Sequence, residues 1–254
     1  VLLNLSPDHL DRHGTFEKYR SCKLKIFENQ KKEDYAIINE NLLTEINIEL
    51  PRVIPFKAKD ASPYPLAKHN RENLAAAIKA ASLIYSEGGS SEIEVPNGLI
   101  LDTLKIPHRL QLVGEIKERS FYNDSKATNP DSTIAALDWT SKPTWLLLGG
   151  KKKRKGYGRL GIKITESPVK GIVFFGEDRK KLEEIILPKR GINKSNMGSF
   201  PHLKKSIEFA FEKSNPGDTI LFSPACTSFD DYQNFEERGE HFRKIVQNLE
   251  SNTA

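Results

Sequence analysis

The chain is poor in cysteine and in long apolar runs. Two of its 254 residues are cysteines, Cys22 and Cys226, so a disulfide framework is excluded and no metal-ligand spacing is present. No apolar stretch approaches the roughly 20 residues that a membrane-spanning helix needs. The opening residues, VLLNLSPDHL, lack the basic flank and the length of a signal peptide. These absences favour a protein of a reducing cytoplasm that has no membrane partner.

Positive charge is in modest excess and is concentrated in one place. The formal net charge is +5, and much of it lies in the run KKKRK, Lys151 to Lys155. A basic run this compact is typical of a solvated loop that meets anions, either nucleic acid or small molecules that carry phosphate. No aromatic stacking motif and no groove-reading helix accompanies the run, so we expect no nucleic-acid partner.

Apolar periodicity predicts an α/β fold in two domains, 1–104 and 105–254. The first domain has a helix over 15–30, strands over 35–40 and 52–58, and a helix over 69–88 that is ended by glycines. The second begins with a hairpin over 110–124, and strands and helices alternate from there to a last helix over 233–250. Such alternation is typical of a mostly parallel sheet covered by helices on both faces.

Polar residues collect where three predicted strands of the second domain end. The loops are NDSKATN after Tyr122, GGKKKRKGYGR after Leu148 and SPACTSFDDYQNF after Phe222. In open parallel sheets ligands bind at the carboxyl ends of strands. If these strands are neighbours, Lys126, Thr128, Ser228 and the lysines of the basic run face one pocket. That pocket would suit a carboxylate or a phosphate.

The residues of the first of these loops also have a simpler interpretation. Asn123 and Asp124 could form only a turn, and Asp131 or Ser132 could cap the next helix. Lys126 is not needed by that interpretation. Cys226 ends a strand without an evident base beside it, so we interpret it as a small apolar residue.

The opening segment offers a second candidate site. His9 lies among aspartates after a short apolar stretch and could ligate a metal, although surface histidines are commoner. Lys23 lies on or beside the apolar face of the first helix, between Tyr19 and Phe27. Burial there would lower its pKa and leave a modifiable amine. The alternative is that Lys23 extends its amine to water.

Six motifs in this order resemble the bacterial Mur ligases, from Asn4 to about Val246. They are NLSPDHLDRHGTFEKYRSCKLKIFEN, HNRENLAAA, PHRLQLVGE, YNDSKATNPDSTIAAL, LLLGGKKK and LFSPACTSFDDYQNFEERGEHF. The resemblance is closest to the members that join D-glutamate to UDP-N-acetylmuramoyl-L-alanine. It implies the end part of a central ATP-binding domain over 1–104 and a Rossmann-like C-terminal domain over 105–254. The implied monomeric enzyme forms an amide bond through an acyl phosphate and uses ATP and Mg²⁺.

The resemblance also implies roles for residues at the nucleotide and metal sites. His9 and Lys23 would be catalytic and would hold Mg²⁺, Lys23 as a carbamate. Asn70 and Asn73, which alternatively cap their helix, would contact the nucleotide, with Asn73 near adenine. Arg109 would contact the phosphates.

The remaining implied roles concern the ribose and the amino acid. Asp124 would contact the ribose. Lys126 and Thr128 would hold the carboxylates of D-glutamate, together with Ser228 and Phe235, the last partly through its backbone.

Two departures from the family pattern are visible. The phosphate loop G-x-x-G-K-[ST] is absent from the 254 residues, as are the upstream glutamate for magnesium and the UDP-binding domain. We therefore expect a fragment that is inactive by itself. The loop after LLLGG usually carries an aspartate and one lysine, whereas here it reads GGKKKRKGYG. Lys153 or Lys155 could match the substrate lysine.

Two other functions stay open at this point. One is a different Mur-type amide ligase, similar to folylpolyglutamate synthases, which would have another amino-acid pocket. The other is a basic nucleic-acid-binding α/β protein.

Overall fold

The computed structural model describes residues 1–7, 10–46, 51–61, 68–85, 106–152, 156–186 and 194–253. The chain divides into two compact units, Val1–Leu104 and Lys105–Ala254. The interval 86–105, which contains the glycines expected to end a helix, lies outside the described residues. Within the described ranges no helix is long and apolar enough to cross a membrane. The predicted α/β class with a mostly parallel sheet is confirmed.

The first unit is built on a parallel pair of strands, β1 (Tyr35–Asn39) and β2 (Arg52–Phe56). Leu2 forms a parallel bridge with Ile38, which places the opening residues beside β1. Its described α-helices are α1 (Leu10–His13), α2 (Phe16–Leu24) and α3 (Lys68–Tyr85). The sequence predicted a helix at α2 and at α3.

Alternate residues of β1 enter two different apolar clusters. Ala36 and Ile38 pack with Leu2 and Phe27, whereas Ile37 packs with Phe56 and alanines of α3. The period of two therefore places β1 between two layers. The apolar face predicted for the first helix is narrower than expected, because Ile26 is 57% exposed.

The second unit is a six-stranded sheet in the order β3-β4-β8-β5-β6-β7. Its strands are β3 (Gln111–Ile116), β4 (Arg119–Asn123), β5 (Thr144–Gly149), β6 (Val169–Phe175), β7 (Met197–Phe200) and β8 (Thr219–Ala225). The hairpin of β3 and β4 is antiparallel, and all other neighbouring pairs are parallel. The last strand is inserted between β4 and β5, so two chain segments far apart in sequence meet there.

Helices cover both faces of this sheet. They are α4 (Pro130–Trp139), α5 (Tyr157–Glu166), α6 (Arg179–Ile186), α7 (Leu203–Lys213) and α8 (Phe235–Thr253). Residues of α4, α5 and α6 pack with Leu146, Leu148 and Phe174 on one face. Residues of α7 and α8 pack with Trp145 and Phe222 on the other. Burial on both faces explains why these strands are almost continuously apolar.

Three elements differ from the sequence prediction. The sequence prediction gave a loop through Arg159, but helix α5 already begins at Tyr157. The helix was missed even though Leu160 and Ile164 have the helical spacing of its buried face. Glycines at 158 and 161 weaken that signal because glycine disfavours helix. The short β7 and α1 were not predicted.

Close packing at Gly171 gives a stability prediction. A Cβ at this residue of β6 would overlap the ring of Trp145, which is buried on the neighbouring strand. We expect Gly171→Ala to lower the free energy of unfolding by about 1–3 kcal/mol, because an overpacked core must shift. Urea denaturation measures the change.

The matched control is Gly161→Ala in the middle of α5, where the nearest atoms to an added Cβ are 3.8 Å away. Alanine there should leave stability unchanged or raise it by up to about 1 kcal/mol. A Gly171→Ala protein as stable as its parent would contradict the packing described for β5 and β6.

Candidate functional site

The three polar loops leave the sheet from adjacent strands. In the register of the sheet, Asn123 of β4 and Leu147 of β5 both pair with Phe222 of β8, and Gly149 pairs with Ala225. Because these strands are parallel, their carboxyl ends lie at one edge. The expectation that the loops come together is therefore met by the strand order.

The loops after β5 and β8 are tied by their backbones. The amides of Lys151 and Thr227 each donate to the carbonyl of the other at 3.1 Å. Gly150 precedes this bridge with φ +117°, and a Cβ there would overlap the carbonyl oxygen of Thr227. Glycine is required at this position by both its conformation and the close approach.

A buried arginine ties the loops after β4 and β8. Arg238 of α8 is 0% exposed. Its Nε and Nη2 donate to Oγ and O of Ser125 at 3.1 and 2.8 Å, and its Nη1 donates to the carbonyl of Cys226 at 3.0 Å. Burial lowers its pKa to about 10, which leaves the guanidinium charged at neutral pH. A fixed positive charge therefore lies beneath this edge of the sheet.

The NDSKATN segment is both a turn and a connector. Oδ1 of Asn123 accepts from the amide of Ser125 at 3.1 Å, as the turn interpretation requires. The cap of α4 was predicted wrongly. Asn129, rather than Asp131 or Ser132, accepts from an amide of the first turn, at 2.9 Å.

Asp124 is buried, and its carboxylate has protein partners. It is 5% exposed, Oδ2 accepts from the hydroxyl of Ser223 at 2.7 Å, and Oδ1 accepts from the amide of Leu110 at 3.3 Å. Desolvation raises the pKa of Asp124 to about 7, against the opposing effects of these hydrogen bonds and of Arg109. A carboxyl group near half ionisation at neutral pH therefore lies under the loop.

Of the residues expected to hold an amino acid, Lys126, Thr128 and Ser228 lie on these loops and Phe235 is the first residue of α8. Lys126 is exposed, Thr128 and Phe235 are half-buried and Ser228 is buried. The Nζ of Lys126 lies 5.4 Å from the ring centroid of Phe235, so a cation from the loop after β4 meets an aromatic ring at the start of α8. Lys153 lies outside the described residues.

The candidates in the first unit are placed only in part. His9 lies outside the described residues. Lys23 is exposed, so the expectation that it is semi-buried is wrong, and its Nζ lies 5.5 Å from the centroid of the Tyr19 ring. The alternative interpretation, that Lys23 extends its amine to water, agrees with this exposure.

The two asparagines lie inside α3. This helix begins at Lys68, so Asn70 and Asn73 lie within its first turns, and the interpretation that they cap it is wrong. They are three residues apart on one helix face and half-buried. Among the residues that the structure describes, no group of three or more His, Cys, Asp or Glu could hold a metal ion.

Sequence reasoning missed Arg238, Ser223 and His108. The motif FEERGEHF contains Arg238, but its partner Ser125 is 113 residues away in the chain. Ser223 was interpreted only as part of a strand. His108 contacts Asn123, at 3.1 Å between Nδ1 and Nδ2, and nothing in the local pattern indicates that contact.

Comparison with protein-family models gives two matches that together span most of the chain. The Mur ligase middle domain matches residues 1–107, and the Mur ligase glutamate ligase domain matches residues 108–226.

Curated relatives of the chain are also Mur ligases. The chain is 34% identical over 279 residues to the UDP-N-acetylmuramoylalanine--D-glutamate ligase of Thermoanaerobacter sp. (strain X514), covering 98% of this chain and 60% of the relative. It is 37% identical over 276 residues to the ligase of that name from Geobacillus kaustophilus (strain HTA426), covering 98% of this chain and 59% of that relative. The chain therefore spans about 60% of the length of these relatives.

Solved structures share the fold. The UDP-N-acetylmuramoylalanyl-D-glutamyl-2,6-diaminopimelate--D-alanyl-D-alanyl ligase of Acinetobacter baumannii aligns with a TM-score of 0.61 at 17% identity, over 97% of this chain and 57% of that one. E. coli FolC in complex with ADP aligns with a TM-score of 0.59 at 16% identity, over 98% of this chain and 62% of that one. With both domain models matched in order and relatives of this identity along nearly all its length, the chain belongs to the Mur ligase family.

Proposed function

We propose that the chain is the middle and C-terminal part of a ligase that joins D-glutamate to UDP-N-acetylmuramoyl-L-alanine at the expense of ATP. The observation that carries the proposal is the edge where β4, β8 and β5 end, in a chain whose relatives at 31–37% identity bear that name. Cationic and hydroxyl groups on adjacent loops suit a small dicarboxylate. The activity would belong to a polypeptide of the relatives' full length, in the cytoplasm.

The proposed reaction has two steps. A carboxylate oxygen of the UDP-sugar substrate attacks the γ-phosphorus of ATP, which forms an acyl phosphate and releases ADP. The amine of D-glutamate then attacks the acyl carbon, phosphate leaves with the bonding electron pair, and the amine loses a proton. Both steps need oriented donors and cations more than a covalent protein nucleophile.

The amino-acid pocket is proposed on Lys126, Thr128, Ser228 and Phe235. Lys126 is exposed beside the Phe235 ring, so its ammonium is free to meet a carboxylate. Ser228 lies on the loop held by Arg238, whose buried charge adds attraction for an anion. Lys153, from the basic run, would contribute a further cation.

Four residues are proposed as contacts of the nucleotide. Asn70 and Asn73 on one face of α3 would meet the base, Arg109 the phosphates and Asp124 the ribose. Asp124 already has two partners within the protein, so its contribution is to orient Ser223 and Leu110 as well as to accept from a ribose hydroxyl.

A divalent metal, Mg²⁺, belongs to the proposal with His9 and Lys23 as its protein contacts. The described residues do not form a complete metal site. The oxygens of a carbamate on Lys23 are a ligand type that Mg²⁺ accepts, and the exposed amine is accessible for that modification. When bound, the ion would offset the negative charge of the phosphates.

A folylpolyglutamate-synthase-like activity is the alternative within the family. FolC shares the fold at 16% identity, which carries no substrate information. The choice of amino acid separates the two functions: the proposal requires D-glutamate, in preference to L-glutamate and diaminopimelate, with phosphate released from ATP.

One prediction from the proposed function concerns Lys126. In the full-length enzyme we expect Lys126→Ala to raise the KM for D-glutamate about tenfold or more, because a charged contact to a carboxylate is lost, and to change the KM for ATP little. Phosphate release measured against D-glutamate concentration gives both constants.

The control is Lys213→Ala, since α7 ends at Lys213 just before β8 begins, at the opposite edge of the sheet. It should leave both constants unchanged. If Lys126→Ala has the parent's KM and kcat, the proposed pocket is wrong.

Another prediction concerns the effect of Asp124 on the pH dependence of stability. Its pKa of about 7 in the folded protein lies above the ordinary value of 3.8, so the folded state holds a proton that the unfolded state loses. The contribution of Asp124 to the free energy of unfolding therefore falls as pH rises from about 4 to about 7. We expect Asp124→Asn to gain stability relative to the parent over that interval, by a few kcal/mol at most.

Thermal unfolding of the chain at pH 5 and pH 8 measures this difference. Asp138→Asn, at an exposed residue of α4, should show little change between the two pH values. If the stability difference between Asp124→Asn and the parent is the same at both pH values, Asp124 does not titrate in this range.

A further inference from the structure

His108 is packed between the end of β4 and the first turns of α8. Its Nδ1 lies 3.1 Å from Nδ2 of Asn123, and its ring centroid lies 6.5 Å from that of Phe235 in an edge-on arrangement. A Cβ on Gly239 would overlap the imidazole, so the ring rests directly on the backbone of α8. The residue itself has φ +61°, a conformation that histidine adopts more readily than most side chains.

Asn123 determines which nitrogen of the ring carries the proton. Oδ1 of Asn123 accepts from the amide of Ser125 at 3.1 Å, and Nδ2 donates to the carbonyl of Gly239 at 2.9 Å. These two bonds set the orientation of the amide, and its second N–H points to Nδ1 of His108. Nδ1 therefore accepts, and the proton of the neutral ring is on Nε2.

His108 also contacts both residues of the cation–aromatic pair. Its carbonyl accepts from the amide of Lys126 at 3.0 Å, and its ring packs edge-on to Phe235. The Nζ of Lys126 lies over that same Phe235 ring. One residue thus supports the loop after β4 through its backbone and the start of α8 through its side chain.

We propose that neutral His108 is a positioning residue for the amino-acid pocket. It keeps the Lys126 side chain and the Phe235 ring in place relative to each other. The inference rests on the proposed function. Protonation at Nδ1 would place one N–H against the N–H of Asn123, so the ring must leave its place on Gly239. Affinity for the amino acid then falls in acid.

Charged groups from two elements face His108. Glu236, Glu240 and Arg243 lie on α8 and Lys126 lies on the loop after β4. Burial is the largest effect and lowers the pKa of His108; the two cations act in the same direction, and the two glutamates oppose them. The neutral form is therefore favoured at neutral pH, and the loss of affinity is expected below the ordinary histidine pKa of 6.5.

The first experiment is NMR of the chain itself, which needs no turnover. We expect ¹⁵N shifts of His108 that show a proton on Nε2 and none on Nδ1. The amide of Lys126 should show a pH transition at the same pKa as the ring, and His108→Asn should abolish it. Asparagine keeps an acceptor near the place of Nδ1 and tolerates positive φ, but it does not titrate. A proton on Nδ1, or a Lys126 amide that does not follow the ring, overturns the proposal.

The second experiment is kinetic, in the full-length enzyme. His108→Ala, and independently Gly239→Ala, which displaces an intact ring, should each raise the KM for D-glutamate about tenfold with a smaller change in kcat. His108→Asn should recover most of the affinity that His108→Ala loses. Its KM should not show the rise that the parent shows between pH 7.5 and pH 5.5. Gly161→Ala is the control without effect. A parental KM in Gly239→Ala, or the same acid-dependent rise in His108→Asn as in the parent, overturns the proposal.

The two experiments separate this inference from the proposed function. If the unaltered enzyme does not use D-glutamate but NMR shows the Nε2–H ring linked to Lys126, the function is wrong and the support of Lys126 by His108 stands. Normal turnover with D-glutamate combined with a negative NMR result retains the function and overturns the inference.

Discussion

The edge of the sheet in the second unit depends on one buried cation. Arg238 has no exposed surface, and in the described part of the chain it donates hydrogen bonds to Oγ and O of Ser125 and to O of Cys226. Burying a guanidinium is costly unless its donors are used. Carbonyl and hydroxyl partners meet that need without cancelling the charge, so the same contacts that fasten two loops leave a positive potential beneath them.

The other features of the edge follow from this arrangement. Ser125, held by Arg238, donates to the carbonyl of Phe235 at 2.8 Å, which connects the loop after β4 to the start of α8. The loop after β5 is joined by the Lys151–Thr227 bridge. Lys126 therefore projects from a loop whose backbone is fastened, and Phe235 projects from the first residue of α8. A dicarboxylate site on mobile loops would bind more weakly, because binding would have to order those loops.

Much of this could be predicted from the sequence, and the errors have physical causes. Continuous apolar runs and helical spacing found the strands and most helices, because burial on both faces decides those patterns. For Lys23 the sequence left burial and extension into water both open, because spacing over two turns does not tell which long side chains extend to water. Arg238 and His108 were missed because their partners lie in other elements, Ser125 113 residues from Arg238 and Asn123 15 residues from His108.

Amide hydrogen exchange in Arg238→Lys tests the central claim most directly, because lysine keeps the charge but loses the fork of donors. Exchange is predicted to quicken at Ser125 and Lys126 and at Thr227, while the amides of β1 in the first unit keep the parent's rates. Unchanged exchange in the loops after β4 and β8 of a folded Arg238→Lys protein would show that the guanidinium does not hold this edge together.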